Sequence, residues 1–255
     1  MHQAAIRVAC VYDTANLNTF ERETGPRQHD LLILPELCDG GYARLHRDKG
    51  PMPGASEIAS RFEALSGRLG LHCVAGSVAW RHRDGAVRNT SLVFSRGAQA
   101  AVISKTHLFR PLGDDQFFAP GIPGPILQLD IAGRMVRTAV IICYDLRFPE
   151  IVRPWFKEGL DLLLVPARWP RVRDGLWHAL LRARAIENQC FVIGVNARDD
   201  EGGGSYGFGP DGTEVFRIGP DPTPADDTWS SFEINLAAIH EVKSRLDTRI
   251  DARLL

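Results

Sequence analysis

Short apolar runs, each closed by polar or turn-forming residues, recur along the whole chain. They read as strands because they are brief, rich in β-branched residues and bounded on both sides. The runs are "AIRVACVY" (5–12), "DLLILPE" (30–36), "HCVAGSVAW" (72–80), "NTSLVFS" (89–95) and "AAVISK" (100–105). They continue with "PILQLDIAG" (125–133), "VRTAVIIC" (136–143), "DLLLVPA" (161–167), "CFVIGVNA" (190–197) and "TEVFRI" (213–218). A different period appears in "SEIASRFEALSGRLG", where Ser56, Ala59, Phe62, Leu65 and Leu69 recur near 3.6 residues, with Gly70 as a stop. Helices are expected over 54–69, 149–159, 174–188 and 235–245.

Strands and helices alternate at the start and middle, while the adjacent strands near 72–105 look like hairpins. This order predicts an α/β fold with mixed sheets in layers. No linker rich in Pro, Gly or Ser divides the chain, so residues 1–255 are expected to form one domain. No internal repeat or low-complexity tract is evident. "DDEGGGSYGFGPDG" (199–212) reads as a flexible loop and turn cluster, and "GPDPTPADD" (219–227) as a surface connection.

Composition narrows the class. Of 255 residues, 44% are hydrophobic and 24% charged, ordinary for a folded globular protein. Thirty basic and 31 acidic residues leave a formal charge of −1, which points to neither a nucleic-acid nor a membrane partner. "MHQAAIRVACVYD" lacks the pattern of a signal peptide, and no apolar run approaches the ~18 residues of a membrane span. Cys10, Cys38, Cys73, Cys143 and Cys190 are odd in number and widely spaced, which fits reduced thiols in the cytoplasm. With no CxxC or HxxxH pair, no metal site is expected, and no cofactor.

Three reactive groups stand at the ends of apolar runs. "DLLILPE" delivers Glu36, "AAVISK" delivers Lys105 and "VRTAVIIC" delivers Cys143. In layered α/β folds, ligands bind outside the carboxyl ends of the strands. Each residue alone has an ordinary reading: an exposed glutamate, a solvated lysine, a packed cysteine. Together they fit acyl transfer. A thiolate attacks a carbonyl or nitrile carbon, and a glutamate takes the thiol proton and returns it to the leaving amine. A lysine ammonium stabilises the oxyanion, with the N–H of Tyr144 as a second donor. A cysteine–histidine site is the rival, with His107 or His178 facing Cys143. His107 lies on the lysine's side of its segment and His178 falls mid-helix, and neither has an evident orienting partner.

"LPELCDGGY", "SKTHLF" and "ICYDLRFPE" resemble the three signature segments of the nitrilase (carbon–nitrogen hydrolase) superfamily, in the same order and at similar separations. The likeness extends from about residue 5 to 245. It implies a four-layer α-β-β-α sandwich that assembles as homodimers or larger homo-oligomers. It implies Cys143 as nucleophile, Glu36 as general base and Lys105 as oxyanion stabiliser. Many members carry a second glutamate before a "PG" that follows the lysine. Here the segment reads "GDDQFFAPG", and Asp114 falls nearest that place, with Asp115 and Gln116 beside it.

The "CYDLRFPE" segment and "PARWPRVRDGLWHALLRARAIENQ" resemble the branch containing ω-amidases and deaminated-glutathione amidases. The implied substrate is a small 2-oxo acid amide such as 2-oxoglutaramate. A buried substrate carboxylate needs a cation, for which Arg147, Arg168 and Arg173 are candidates. For Arg147 an ion pair with Glu150 or Glu187 is the favoured role. Trp169 and Phe117 are candidate apolar walls, and Tyr42 a candidate at the mouth of the site. Between Asp13 and His29 there is room only for a helix shorter than is usual in this superfamily. The alternatives are an amidase for another small amide and a non-catalytic binding module on the same fold.

Overall fold

The computed structural model describes residues 5–48, 55–198, 202–221 and 228–253. In chain order its elements begin with β1 (Ile6–Val11), α1 (Leu17–Glu23), β2 (Leu31–Ile33), α2 (Gly41–Asp48) and α3 (Ala55–Leu69). Next come β3 (His72–Val74), β4 (Val78–Arg81), β5 (Val87–Ser95), β6 (Ala98–Ser104), α4 (Asp114–Phe117) and β7 (Leu127–Ile131). Then follow β8 (Arg134–Val140), α5 (Pro149–Glu158), β9 (Leu162–Ala167), α6 (Asp174–Asn188) and β10 (Phe191–Asn196). The chain closes with β11 (Ser205–Phe208), β12 (Glu214–Ile218), β13 (Trp229–Ile234) and α7 (Ala237–Arg245).

Among the described residues, one sheet runs β13-β1-β2-β3-β5-β4 with β6 on β5, and the other runs β12-β11-β10-β9-β8-β7. In each, three central strands are parallel: β1, β2 and β3 in the first, β8, β9 and β10 in the second. Strands covered on both faces have no polar side to show, so their sequences are continuously apolar. The alternation assigns each residue to a layer. Val8 and Cys10 face a central core shared with Leu162, Leu164, Ile193 and Val195 of the other sheet. Ala9 and Val11 face the other way, onto Leu17 and Phe20 of α1 and Phe62 and Leu65 of α3. Leu163 and Val165 of β9 likewise pack under Val152 and Trp155 of α5 and Trp177 and Leu181 of α6. The result is the four-layer α-β-β-α sandwich that the resemblance implied. Each fully buried Leu, Ile or Phe contributes roughly 1.5–3 kcal/mol, and these three cores hold most of the stability.

Several elements depart from the sequence reading. The run 72–80 is two strands, because Gly76 turns the chain between β3 and β4 at φ +46°, where a Cβ would lie 1.9 Å from the Pro35 carbonyl oxygen. The glycine-rich stretch 199–212 contains β11 at its described end, and β13, unforeseen, pairs antiparallel with β1. Its missed residues (Trp229, Ser230, Ser231) lack a long apolar run. Ser56, placed on the inner stripe of α3 by periodicity, is exposed. Most of 219–227 lies outside the described residues. Helix α1 has seven residues, the short helix expected there. No described helix is long and apolar enough to cross a membrane.

Candidate active site

Glu36 follows β2 by three residues, and its side chain is buried. Its chain segment is pinned by Ser77: the Leu37 N–H donates to the Ser77 hydroxyl (3.0 Å) and the Cys38 N–H to the Ser77 carbonyl (3.0 Å). Glu36 Oε1 accepts from Lys105 Nζ at 2.7 Å and Asn89 Nδ2 at 2.8 Å. Its Oε2 accepts from the Arg168 backbone N–H at 3.1 Å. A carboxylate offers about four lone-pair sites, so one on Oε2 stays open.

Lys105 follows β6 directly, and that strand runs in the same sense as β3 because both pair antiparallel with β5. Its ammonium is fully buried and donates to Asp114 Oδ2 at 2.7 Å as well as to Glu36. Two of its three N–H groups are thus engaged and one remains. Asp114 also accepts the Phe109 N–H (2.8 Å) on Oδ2 and the Tyr42 hydroxyl (2.7 Å) on Oδ1. The shorter carboxylate reaches the lysine from the first residue of α4, which follows a 3-10 turn at Arg110–Leu112. Tyr42, at the start of α2, lies 3.5 Å from Glu36 Oε1, so it stands within the cluster as well as at its mouth.

Cys143 opens a 3-10 turn (Cys143–Arg147) directly beyond β8, with φ +47°. Few non-glycine residues adopt this left-handed conformation, and it costs of order 1–3 kcal/mol where it occurs. It carries the side chain off the strand end into the buried pocket where the Glu36 charge acts on the thiol. The N–H of Tyr144 sits in the first turn, where backbone donors have no partner within the helix. Asp145, which the sequence reading passed over, holds the arrangement. Its carboxylate accepts the backbone N–H groups of Ile142 (3.2 Å), Thr106 (3.3 Å) and His107 (2.7 Å), tying the cysteine turn to the lysine loop.

The electrostatic balance keeps the resting thiol neutral. Burial and the Glu36 charge push the Cys143 thiol well above its usual range, outweighing Lys105. Burial alone would lower Lys105, but the charges of its partners Glu36 and Asp114 raise it, so it is an ammonium. Tyr42 is likewise pushed up, by burial and then by Glu36, and stays a phenol. A buried thiol beside a carboxylate and one spare cationic donor are the parts required for covalent attack on a carbonyl.

A cavity of about 20 Å³ touches Cys143, with Tyr42, Phe109, Trp169, Arg147 and Arg173 among its walls. Trp169 is fixed there by Asn196, which accepts its N–H (2.8 Å) and donates to its carbonyl (3.0 Å). Phe117 is not a wall of this cavity: its ring packs edge-on against His46 of α2, 5.0 Å between centroids, and Phe109 takes the wall position. Arg147 forms no ion pair with Glu150 or Glu187. Its guanidinium lies 5.1 Å from the Trp169 ring centroid, while Glu187 pairs with Arg184 at 2.9 Å. Arg168 serves the glutamate segment, its Nε donating to the Glu36 carbonyl at 2.9 Å and a second guanidinium nitrogen to the Leu37 carbonyl at 3.2 Å. Asn89 was also passed over, since inside β5 it looks like any outward polar strand residue.

Neither histidine of the cysteine–histidine alternative lines the cavity at Cys143, although each has an acidic partner that the sequence did not show. His178 pairs with Glu214 (2.8 Å) beside Tyr206 and Phe208. His107 stacks on Phe148 at 3.7 Å with its Nδ1 3.0 Å from Asp145. Among the described residues no group of three or more His, Cys, Asp or Glu is placed to hold a metal ion.

Comparison with known proteins gives the family. The sequence model of the carbon–nitrogen hydrolase family matches residues 14–243. The 2-oxoglutaramate amidase of Bacillus subtilis (strain 168) is 33% identical over 174 residues, 68% of this chain and 66% of that enzyme. The omega-amidase YafV of Escherichia coli (strain K12) is 31% identical over 244 residues, 93% of this chain and 90% of that protein. Among solved structures, a CN-hydrolase superfamily protein from Xanthomonas campestris with an arsenic adduct in its active site superposes with a TM-score of 0.79. It is 28% identical, covering 99% of this chain and 98% of that one. With the family match spanning most of the chain and the same layered fold around its three signature segments, the protein belongs to the carbon–nitrogen hydrolase family.

Proposed function

We propose that this enzyme is a thiol amidase of the ω-amidase type, hydrolysing the terminal amide of small 2-oxo acid amides such as 2-oxoglutaramate. The observation that carries the reading is the single buried cluster of Cys143, Glu36 and Lys105, in which Glu36 accepts from Lys105 at 2.7 Å and its charge acts on the Cys143 thiol. The names and extents of the relatives in Bacillus subtilis and Escherichia coli support the substrate class.

Cys143 Sγ attacks the amide carbon as its proton passes to Glu36. The oxyanion of the tetrahedral intermediate takes the free N–H of Lys105 and the N–H of Tyr144. Glu36 then returns the proton to the nitrogen, the C–N bond breaks, and ammonia leaves a thioester on Cys143. Water, deprotonated by Glu36, attacks the thioester carbon. The collapse expels the thiolate, which regains its proton, and releases the acid. Keeping the thiol protonated until substrate arrives guards it against oxidation, and proton transfer to the neighbouring Glu36 lets attack proceed at neutral pH. Asp114 and Tyr42 hold the lysine, and Arg168 and Asn89 hold the glutamate. The same reading has the enzyme working in the cytoplasm as a homodimer or larger homo-oligomer, which sedimentation analysis tests.

Ammonia release decides the assignment, measured on 2-oxoglutaramate, glutamine, deaminated glutathione, an N-carbamoyl amino acid and a simple nitrile. The expected result is turnover of 2-oxoglutaramate well above the others, abolished in a folded Cys143→Ala variant. Faster turnover of a different amide would keep the chemistry and change the substrate. Turnover that survives Cys143→Ala would overturn the mechanism.

A further inference from the structure

Three guanidinium groups border the cavity at Cys143, and they differ in what they hold. Arg168 is spent on the Glu36 and Leu37 carbonyls. Arg147 rests on the Trp169 ring, and Arg173 lies 6.0 Å from the Phe109 ring centroid at the exposed end of the turn Arg171–Arg173. Neither Arg147 nor Arg173 pairs with a carboxylate among the described residues. A cation on an aromatic face gains about 0.5–2 kcal/mol, less than a bidentate carboxylate in a desolvated cleft provides. Both cations are therefore free to exchange a ring for an incoming anion.

Position separates Arg173 from Arg147. Like Arg168, whose guanidinium is held by the Glu36 and Leu37 carbonyls, Arg173 borders both the small cavity and an outer cleft of about 590 Å³, so it stands where the two meet, together with Phe109 and Leu112. The inner cavity, about 20 Å³, has room for about one water, not for an acyl chain of several carbons. Substrate entering from the outer cleft must part Arg173 from Phe109. A substrate with a carboxylate at its far end gains an ion pair in doing so, while Phe109 and Leu112 take its carbon chain. A neutral amide must break the same contact with nothing in return.

Building on the amidase reading, we propose that Arg173, assisted by Arg147, binds the carboxylate of a short ω-amide at the neck of the cleft. This cation makes the enzyme select amides that carry a negative charge at the end opposite the scissile bond.

The test compares kcat/KM for 2-oxoglutaramate with that for pentanamide, in the wild type and in Arg173→Ala and Arg173→Lys. The expected result is a fall of about tenfold to a hundredfold in the anionic-to-neutral ratio for Arg173→Ala, carried by KM. Arg173→Lys should retain part of the preference, and added salt should shrink it. An unchanged ratio in Arg173→Ala, or equal loss on both substrates, would overturn the proposal. Should the wild type hydrolyse neither amide, the amidase reading fails, and calorimetry with 2-oxoglutarate decides the anion site separately. Weaker binding in Arg173→Ala supports the site, and equal binding excludes it.

Discussion

Asp114 meets three donors at once: the Lys105 ammonium, the Phe109 N–H and the Tyr42 hydroxyl. Removing this carboxylate strands buried polar groups, and breaking one side of a buried ion pair costs about 3–5 kcal/mol. Asp114→Ala is expected to lose stability on that scale in urea titrations and at least a hundredfold in amide turnover, because Lys105 loses an anchor. Asp114→Glu should lose less, about 1–3 kcal/mol, since it keeps the charge and overfills the site by one methylene. An Asp114→Ala variant as stable and active as the wild type would show that the lysine needs no second carboxylate. Residues of this kind were unevenly legible in the sequence. Glu36, Lys105 and Cys143 show themselves as polar groups ending apolar runs. Asp114 was found only by its distance from Pro120–Gly121. Asn89 and Asp145 gave no signal, because Asn89 sits within a strand pattern and the acceptors and donors around Asp145 are largely backbone. The arginines misled for a related reason: their sequence positions say nothing about whether a carbonyl, a ring or a substrate will meet the guanidinium.

At the level of elements, strand direction does most of the positioning. β2, β6 and β8 place Glu36, Lys105 and Cys143 beyond their carboxyl ends, while β9 brings Arg168 to the same place. Continuous apolar runs made these strands readable. What the runs could not show was where a strand breaks for a close approach, as at Gly76, or where a polar edge strand such as β13 closes a sheet. Nor did they show how two loops from different sheets are locked, which falls to Asp145. Asp145→Ala orphans the N–H groups of Ile142, Thr106 and His107, at about 1–3 kcal/mol for each one left buried without a partner. The expected outcome is faster hydrogen exchange confined to these amides, with a lower kcat and little change in KM, since the cysteine turn loosens against the lysine while the binding cleft is untouched. Uniform loss of protection across both sheets would instead mark Asp145 as a global stability residue.

For the whole molecule, the buried titratable groups set a window of pH in which the fold is most stable. Burial raises the thiols of Cys10, Cys38, Cys73, Cys143 and Cys190. A group raised on folding contributes stability that is present below its unfolded pKa and is lost as pH rises. The unfolded chain releases thiol protons from about pH 8.5 while the folded chain keeps them. At pH 10 each such thiol weakens the fold by about 2 kcal/mol. The opposite sign holds for His29, His72 and His82, which burial lowers. Their contribution is present above about pH 6.5 and is lost as pH falls, because the unfolded chain takes up protons first. The urea midpoint should therefore be highest between about pH 6.5 and 8.5 and fall on both sides, more steeply on the alkaline one. Cys73→Ala separates packing from titration. It should be less stable than the wild type at pH 7, through the small void it leaves, and the gap should narrow as pH rises to 10. A gap that stays constant across that range would mean that the buried thiols ionise alike in the folded and unfolded chains.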